Sequence, residues 1–381
     1  MALSLDMFKA LRLTRVMRSL QDARVSPRGL PFLARTPIVN AVDSEIMARF
    51  TGGVLIADLV ADGQAALVYS ADKMSFTSTT IPNLKIGRNV TQEIINQLTA
   101  LQGANGGVTD TDGVLDWTTR YLAFVLAGVE QRMEALLIAM AIDGFTYERL
   151  GIRMDGVTWG MPADLKITVA QGWADNPVLA TPVADLWAAR LVAQTRYGKV
   201  YNRVTMSTPA FQAMIATNEF QAKARTFLAP NVSDVNLSLT DLTAQQIIAN
   251  NITGLSVELY DGRYQSQDAS GRIMSEPGLP LDRIILANSA DDNDPAIADF
   301  ANGIVTESVV ASYVGNTAVI GGMDGPAYGP IAYATANPTL NPPDMTWWGV
   351  ARGFPRKHQL EATATLNIGP ITNSIPVIAP Y

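Results

Sequence analysis

Cysteine is absent from this sequence, and histidine occurs once, as His358. Without cysteine the chain has no disulfide framework, no thiolate metal site and no cysteine nucleophile. A single histidine leaves the usual catalytic triads and zinc sites without essential parts. His358 lies beside Arg356 and Lys357, so a surface position is the better interpretation than a catalytic one. The phosphate-binding glycine motifs are missing too, and we expect no catalytic residue, no cofactor and no metal ion.

Charge is also scarce, at 17% of residues against roughly 25% in typical soluble domains. Extensive burial against other protein is one way to accommodate so few charges. The net charge of −7 is unevenly distributed: residues 1–35 hold seven Lys and Arg against two Asp, a net of +5 that leaves −12 for the remainder. An acidic body does not suit a protein that grips DNA, which needs rows of basic residues. It does suit one that lies beside nucleic acid without binding it.

A basic amphipathic pattern opens the chain at residues 3–20. Apolar side chains fall on one side of the predicted helix, and basic ones, Arg12 and Arg15 among them, lie elsewhere. The simplest interpretation is a docked helix with a solvated basic face, and the alternatives are a contact with an acidic partner, a membrane surface or another subunit, or a transit peptide. No uninterrupted apolar run follows, so a secretory signal is not expected. Prolines then continue the chain as an extended arm.

Residues 116–142 predict one long helix, because apolar residues recur every four positions. Asp116 is the expected N-cap and Gly144 the expected stop, which gives a length of about 40 Å. Charges within this stretch exclude a membrane span. Glu130, Arg132 and Glu134 predict a solvent-exposed face on the second half of the helix.

Upstream, between residues 54 and 90, the apolar period changes to two. Leu67 and Tyr69, then Met74 and Phe76, alternate across a turn at residues 71–73, which predicts a β-hairpin that ends at Pro82. Such a ribbon would be roughly 30 to 50 Å long. A two-stranded ribbon on its own is only marginally stable in water, so we expect this one to pack against a neighbouring molecule.

The rest of the sequence mixes helices and strands without a βαβ repeat, which indicates an α+β fold. Predicted helices cover residues 91–100, 183–197, 209–218 and 241–250. Predicted strands cover residues 200–206, 256–260, 283–287, 361–368 and 371–378, with a further strand pair about an Asp155-Gly156 turn. Loops with short strands are expected from residue 291 to residue 344.

Two acidic clusters are candidate cation sites: Asp110 with Asp112, and the Asp291-Asp292-Asn293-Asp294 run. Neither extends into a complete calcium loop, and Asp and Asn also initiate turns, so metal binding is not predicted. Trp347 and Trp348 are adjacent and would point to opposite faces of an extended strand. Either both belong to a core, or one of them anchors an interface.

In the order basic arm, long hairpin, long helix, strand pair, mixed α/β region and returning C-terminal strands, the chain resembles the Hong Kong 97-type fold of tailed-phage major capsid proteins. The similarity is to the lambda-like E family. The similar segments are LVADGQAALVYSADKMSFTSTTIPNLK, EQRMEALLIAMAIDG, RVTMSTPAFQAMIATNEF, VELYDGRYQSQDASGRIMSEPGLPLDRIILAN and WWGVARGFPRKHQLEATATLNIGP. They span most of residues 50–370, and their shared order carries the resemblance.

The resemblance implies a domain plan. It comprises an N-terminal arm (1–50), an extended hairpin loop (51–90), a peripheral domain (91–178) built on spine helix 116–142, an axial domain (179–345) and C-terminal strands (346–381) that return to the peripheral domain. It also implies inter-subunit contacts near the hairpin tip, at Asp72, Lys73, Met74 and Phe76. The arginine-rich N-terminal helix departs from the family pattern, and we expect its Arg12 and Arg15 either to contact a scaffold during assembly or to lock neighbouring subunits afterwards.

The implied function is structural and not enzymatic. The chain would be the major capsid protein of a tailed bacteriophage, assembled in the host cytoplasm as pentamers and hexamers of an icosahedral shell in the virion. Implied partners are copies of itself, packaged double-stranded DNA without sequence-specific contact, and scaffolding, portal and decoration proteins, with no membrane. The rival interpretations are an encapsulin-like compartment shell protein of the same fold, and a soluble α/β enzyme.

Overall fold

A computed structural model describes residues 30–41, 44–51, 73–80, 82–90, 111–149, 152–228, 240–267, 273–305, 318–320, 327–337 and 344–371. The α-helices in these ranges are α1 (Pro31–Arg35), α2 (Thr111–Ile142), α3 (Pro182–Tyr197), α4 (Thr208–Ile215), α5 (Asn218–Leu228) and α6 (Asp241–Asn251). The strands are β1 (Ile38–Asn40), β2 (Ser44–Thr51), β3 (Lys73–Thr80), β4 (Asn83–Val90), β5 (Phe145–Arg149), β6 (Ile152–Val157), β7 (Lys166–Thr168), β8 (Arg203–Met206), β9 (Ser256–Leu259), β10 (Arg263–Gln267), β11 (Ile273–Pro277), β12 (Arg283–Ala287), β13 (Ala298–Asn302), β14 (Ile304–Val305), β15 (Ala318–Ile320), β16 (Ala327–Tyr328), β17 (Ile331–Asn337), β18 (Asp344–Lys357) and β19 (Thr363–Asn367). This mixture confirms the predicted α+β class.

The chain divides into two compact units. Among the described residues, unit 1 takes those up to 46, from 78 to 136 and from 299 to 355. Unit 2 takes those from 47 to 77, from 137 to 298 and from 356 onward. The chain therefore passes from unit 1 to unit 2 within helix α2.

Unit 2 contains a five-stranded sheet in the order β7-β19-β12-β8-β9. The central strands are antiparallel, and β7 and β9 add at the two edges in parallel. Alternate residues of these strands, among them Val204, Leu286 and Leu366, are fully buried in one core with side chains of helices α3 to α6, such as Leu186 and Phe211. The apolar residues at every second strand position and those on one face of each helix therefore pack into the same core.

The other face of this sheet is polar. Thr205, on β8, lies opposite Ile285, which in turn lies opposite Thr365 on β19. Both threonines are almost fully buried. Two residues before Thr205 on β8, and so on the same face, Arg203 is 9% exposed and forms a two-pronged contact with Asp292, in which Nη2 donates to Oδ1 at 2.8 Å. Buried charge on this face is thus paired, as its desolvation requires.

Unit 1 contains a six-stranded sheet in the order β1-β13-β18-β17-β15, with β4 also pairing with β18. The first part of α2 lies against it, and Val125 and Val129 in this part of the helix are buried one turn apart. Gly349 of β18 lies so near the helix that an added Cβ would be 2.6 Å from the Val125 carbonyl oxygen. Glycine at this position permits the close approach of helix and strand.

Helix α2 ends at Ile142, as predicted, but begins at Thr111, five residues before the expected cap Asp116. The predicted solvent-exposed face on its second half is wrong for Glu134, whereas Glu130 and Arg132 are half-buried. Residues 133–141 are all buried, and Glu134 is only 1% exposed. Most exposed positions lie instead in the first half of the helix, for example Phe124 at 52%, and Gln131 is exposed in the second half.

The turns predicted at residues 71–73 and 155–156 had different outcomes. Lys73 was expected in a turn, but it is the first residue of strand β3. Strand β3 pairs with β2. Leu67, Tyr69 and the rest of the predicted turn lie outside the described residues. The turn predicted at Asp155-Gly156 is wrong, because both residues lie within β6. Phe145 faces Val157 and Tyr147 faces Met154, so the Asp155-Gly156 pair forms a bulge, with Gly156 at φ 61°. The predicted helix 91–100 and nearly all of the predicted strand 371–378 are also outside the described residues.

Candidate functional site

The N-terminal arm is anchored in unit 1 by a buried carboxylate. The N–H groups of Phe32 and Leu33, in the first turn of α1, donate to Glu134 Oε1 and Oε2 at 3.1 and 2.5 Å. The first N–H groups of any helix lack partners within the helix, so the carboxylate supplies acceptors they need. In return, two charge-assisted hydrogen bonds offset the desolvation of Glu134.

After α1 the arm continues onto the unit 1 sheet. Strand β1 pairs in parallel with β13, with Ile38 beside Phe300 and Asn40 beside Asn302. Ala41 N–H then donates to the Asn302 carbonyl oxygen at 2.8 Å. The described part of the arm, residues 30–41, therefore lies on its own subunit. Arg12 and Arg15 lie outside the described residues.

The candidate extended loop begins and ends in strands β2 and β3, which form a two-stranded sheet within the described part of the chain. Lys73, Met74 and Phe76 belong to β3, and Asp72 lies just outside the described residues. Just beyond β3, strand β4 pairs antiparallel with β18 over eight positions, from Asn83–Arg352 to Val90–Met345. This pairing ties the C-terminal end of the loop into the six-stranded sheet.

Trp347 and Trp348 point to opposite faces of β18, as predicted. Trp347 is 1% exposed, whereas Trp348 is half-buried. The Trp348 ring lies over Gly87 of β4, where an added Cβ would come within 2.5 Å of it. Lys85 Nζ lies 4.7 Å from the ring centroid, a cation–π contact on the surface of the sheet. Trp347 is thus a core residue, and Trp348 holds β4 against β18.

The C-terminus of α2 is held in unit 2 by Asp143. This residue has a left-handed backbone, with φ 55°, and is 4% exposed. Its carboxylate accepts hydrogen bonds from the N–H groups of Trp159 at 2.5 Å and Met161 at 3.1 Å. It also pairs with Lys166 Nζ at 2.6 Å. Asp143 therefore joins the end of the helix to the segment that leads into β7.

A second buried cation lies near the same helix end. Lys357 Nζ donates to Thr363 Oγ1 at 2.8 Å, and Thr363 Oγ1 donates to the Ala141 carbonyl oxygen at 3.0 Å. Burial lowers the pKa of the Lys357 ammonium from 10.5 to about 8, and the nearby carboxylates of Asp143 and Glu361 partly oppose that shift. A positive charge here complements the negative end of the helix dipole, and no basic residue lies in the last turn of α2 itself.

Candidate catalytic and metal residues are engaged in structural contacts. His358 donates its backbone N–H to Ile297 O at 2.9 Å, and the residue is half-buried rather than on the surface as interpreted. In the acidic run, Asp291 lies 3.7 Å from Lys199 Nζ, Asp292 pairs with Arg203, and Asp294 accepts from Ala296 N–H.

In the other acidic cluster, Asp112 belongs to the first turn of α2, and Asp110 is outside the described residues. Over the ranges that the structure describes, no group of three or more His, Cys, Asp or Glu is placed to hold a metal ion. In the same ranges no helix is long and apolar enough to cross a membrane.

Sequence reasoning missed Glu134, Lys357 and the exposed apolar residues of unit 2, which include Trp187 and Leu191. For Glu134 and Lys357 no local signal existed, because their partners are remote or their burial depends on the whole unit. The exposed pair had a signal: Trp187 and Leu191 lie four residues apart in the predicted helix, outside the row of Leu186, Ala189 and Ala193 that forms its buried face.

Comparison with known proteins identifies the family. The sequence model of the family described as phage major capsid protein E matches residues 44–291, well over half of the chain. A search of curated protein sequences finds no match. The matched range includes β2, β3, the whole of α2 and four of the five strands of the unit 2 sheet.

Solved structures show the fold. A prophage protein of Escherichia coli CFT073, assigned as a capsid protein, is similar with a TM-score of 0.52 at 13% identity, over 92% of this chain and 96% of that one. A phage-related protein of Bordetella bronchiseptica RB50 is similar with a TM-score of 0.46 at 11% identity, over 94% and 96%. The procapsid of satellite phage P4 gives 0.43 at 12% identity, over 94% and 92%. The last two values are too low to support an argument, and the first confirms the predicted Hong Kong 97-type capsid fold.

The family match also decides between the rival interpretations, because it covers the ribbon strands and the long helix on which the resemblance was based. The chain belongs to the phage major capsid protein E family, and it is a structural subunit of a phage capsid shell.

Proposed function

We propose that this chain assembles into pentamers and hexamers of the icosahedral head that encloses the double-stranded DNA of a tailed phage, and that assembly takes place in the host cytoplasm. The observation that carries the proposal is the family match over residues 44–291. The acidic net charge of −7 supports a wall that lies beside DNA without binding it tightly. No catalytic step belongs to this role.

The β2–β3 ribbon and the residues between its strands are the extended loop that reaches a neighbouring subunit. A two-stranded ribbon has too little of its own chain to cover it, and a second subunit supplies the missing surface. Within this loop, Asp72, Lys73, Met74 and Phe76 are the residues proposed to make the contact. The pairing of β4 with β18 supports this proposal, because it anchors the segment just after β3 in the six-stranded sheet.

The remaining parts follow the same plan. The helix-covered sheet of unit 2 belongs to the axial domain, and α2 is the spine of the peripheral domain. The arm, with Arg12 and Arg15, contacts a scaffold or a neighbouring subunit during assembly. Portal, scaffolding and decoration proteins are the further partners of such a shell.

Loop deletion tests the proposal. Residues 53–71 are replaced by a short Gly-Ser turn, and a matched variant carries a Gly-Ser segment of the original length. Both should melt as the wild type does, yet sediment as monomers or small rings, whereas the wild type forms shells visible by negative-stain microscopy. Normal shells from either variant would contradict a role for the loop. Discrete small particles from the wild type at every concentration and salt would contradict the proposed function itself.

A further inference from the structure

Among the unit 1 residues whose side-chain exposure is described, every exposed charge is positive. The exposed charged residues of this set are Lys85, Arg88 and Arg120. Its acidic residues are covered, since Glu134 and Asp299 are buried and Glu130 is half-buried. In unit 2 both signs of charge are exposed, as at Asp175 and Arg196. Unit 1 therefore presents positive charge on a chain whose net charge is −7.

Two of these cations lie beside an exposed aromatic ring. The guanidinium carbon of Arg88, on β4, lies 4.4 Å from the centroid of the Phe124 ring on α2. Arg120 precedes Phe124 by four residues and so lies on the same face of the helix. Phe124 is 52% exposed. These three residues are called the basic patch. A guanidinium stacked on a ring directs its N–H groups outward in its own plane, the geometry that a carboxylate accepts.

The residues between β2 and β3 have the complementary composition. This loop segment, residues 52–72, lies outside the described residues. It contains three acidic residues, Asp58, Asp62 and Asp72, and no basic one. Most of its other residues are apolar, as in the run LVADGQAALVY. As two extended halves it would reach roughly 30 Å beyond its flanking strands. The loop segment thus offers the carboxylates and the apolar side chains that suit two arginines and an exposed ring.

Nucleic acid is a poorer match for the basic patch. DNA binding depends on rows of Lys and Arg that neutralise many phosphates, whereas the patch has two arginines. A protein segment needs only a few carboxylates to match them, and opposite charges across an interface select the correct partner. The observations therefore favour a protein occupant.

We infer that in the assembled shell the loop segment of one subunit docks on the basic patch of a second copy. The carboxylates of Asp62 and Asp72 pair with the guanidinium groups of Arg88 and Arg120, and apolar loop residues cover the aromatic ring. This inference rests on the proposed function, because it names the surface that the extended loop reaches on its neighbour.

Charge exchange tests this pairing. The patch variant carries Arg88→Glu with Arg120→Glu, and the loop variant carries Asp62→Lys with Asp72→Lys. Each should raise the protein concentration needed for assembly by about ten-fold or more, because like charges then meet. The combined variant restores opposite charges and has the wild-type net charge of −7, so it should assemble close to the wild-type concentration.

A matched control separates local pairing from net charge. Arg196→Glu with Arg263→Glu reverses two exposed arginines of unit 2 and alone should assemble as the wild type does. Added to the loop variant, this pair also gives a net charge of −7, yet assembly should remain impaired. Rescue by this pair would show that net charge is responsible and would overturn the inference. Normal assembly of either the patch variant or the loop variant would overturn it too.

Cysteine cross-linking shows whether the contact joins two copies, because the chain has no cysteine of its own. Gln64→Cys, in the loop segment, and exposed Ala123→Cys, beside the patch, are made in separate chains and leave every charge in place. Assembled together and treated with a short bis-maleimide, they should give a covalent dimer, whereas each variant alone should give monomers. Dimers from either variant alone would overturn the inference, because they show like positions in contact.

The remaining outcomes separate the two proposals. Shells that form from the mixture without any dimer would overturn the inference and leave the proposed function intact. An internally linked monomer from a chain with both cysteines, and no dimer from the mixture, would assign the patch to the loop of the same subunit. Normal shells of the patch variant that no longer retain DNA would assign it to nucleic acid. Failure of the unsubstituted protein to form shells would instead count against the proposed function.

Discussion

Glu134 accepts a hydrogen bond from the backbone N–H of Phe32, 102 residues earlier in the chain, with 3.1 Å between nitrogen and Oε1. A short helix at the start of the described chain is therefore held by a side chain of the longest helix. The contact holds α1 on helix α2 within unit 1.

Glu134→Gln should loosen the arm. The amide replaces one acceptor oxygen with an NH₂ donor that faces a backbone N–H, and leaving that group unsatisfied costs about 1–3 kcal/mol. Hydrogen exchange of residues 30–41 should accelerate while the sheet of unit 2 remains protected. Glu130→Gln, at a half-buried glutamate on the same helix, is the control. Unchanged exchange in Glu134→Gln would show that the carboxylate does not hold α1.

Lys357→Met should change how stability depends on pH. The folded-state pKa of Lys357 is about 8, below the ordinary value of 10.5 that applies to the unfolded chain. Between these values the unfolded state binds more protons, so rising pH stabilises the folded wild type. Relative to Lys357→Met, the wild type should gain up to about 3 kcal/mol as pH passes through this window, since one pKa unit corresponds to about 1.4 kcal/mol.

Denaturant unfolding at several pH values measures the difference in unfolding free energy between the wild type and the variant. The prediction concerns how this difference changes with pH, and not its size at any one pH. The variant also loses the hydrogen bond to Thr363, which shifts the curve equally at every pH. Lys223→Met removes a partly exposed lysine of the same unit and controls for the change in net charge. Parallel curves for Lys357→Met and the wild type would refute the assignment.

Gly349→Ala should destabilise unit 1. The added methyl group would lie 2.6 Å from the carbonyl oxygen of Val125, and because this is backbone, neither partner has a side chain that can move aside. Overpacking of this kind costs about 1–3 kcal/mol. Gly144→Ala is the matched control, since an added Cβ there meets nothing within 4 Å. Equal melting temperatures for the two variants would show that helix α2 and strand β18 separate readily.

Asp143→Asn and Asp143→Ala should differ in cost. Asparagine tolerates the left-handed backbone and keeps one acceptor oxygen but loses the pairing with Lys166, so we expect a loss of about 1–2 kcal/mol. Alanine adds backbone strain of about 1–2 kcal/mol and leaves two N–H groups without acceptors. Thermal unfolding therefore ranks wild type above Asp143→Asn above Asp143→Ala. Equal melting temperatures for the two variants would show that neither backbone strain at position 143 nor the acceptor oxygen kept by asparagine affects stability.

Elements defined by local periodicity were predictable. Strand Arg283–Ala287 has the predicted bounds, and helix Asp241–Asn251 extends one residue past its predicted end. Helix α5 was missed because it follows α4 after a two-residue break, although Thr217 offered a signal. This threonine accepts from Phe220 N–H at 3.4 Å, as an N-cap does. The early start of α2 was missed because Asp112 and Gly113 favour a loop in isolation.

Features that depend on distant residues were not predictable. The charge of Glu134 predicted an exposed side chain. The side chain is buried because it accepts hydrogen bonds from helix α1, which only the tertiary structure brings near. The aspartate and glycine at 155–156 are typical of a turn, yet pairing with β5 makes them a bulge. Contacts between subunits at Asp72, Lys73, Met74, Phe76, Arg12 and Arg15 remain predictions, because they require a second copy.

The burial of Lys357 gives this protein an internal reporter. At 2% exposure its amine is closed to reagents that label lysines in water. Acylation at this position would therefore record each moment at which unit 2 opens. Mass spectrometry of shells captured at successive stages then times that opening against assembly, with no substitution in the chain.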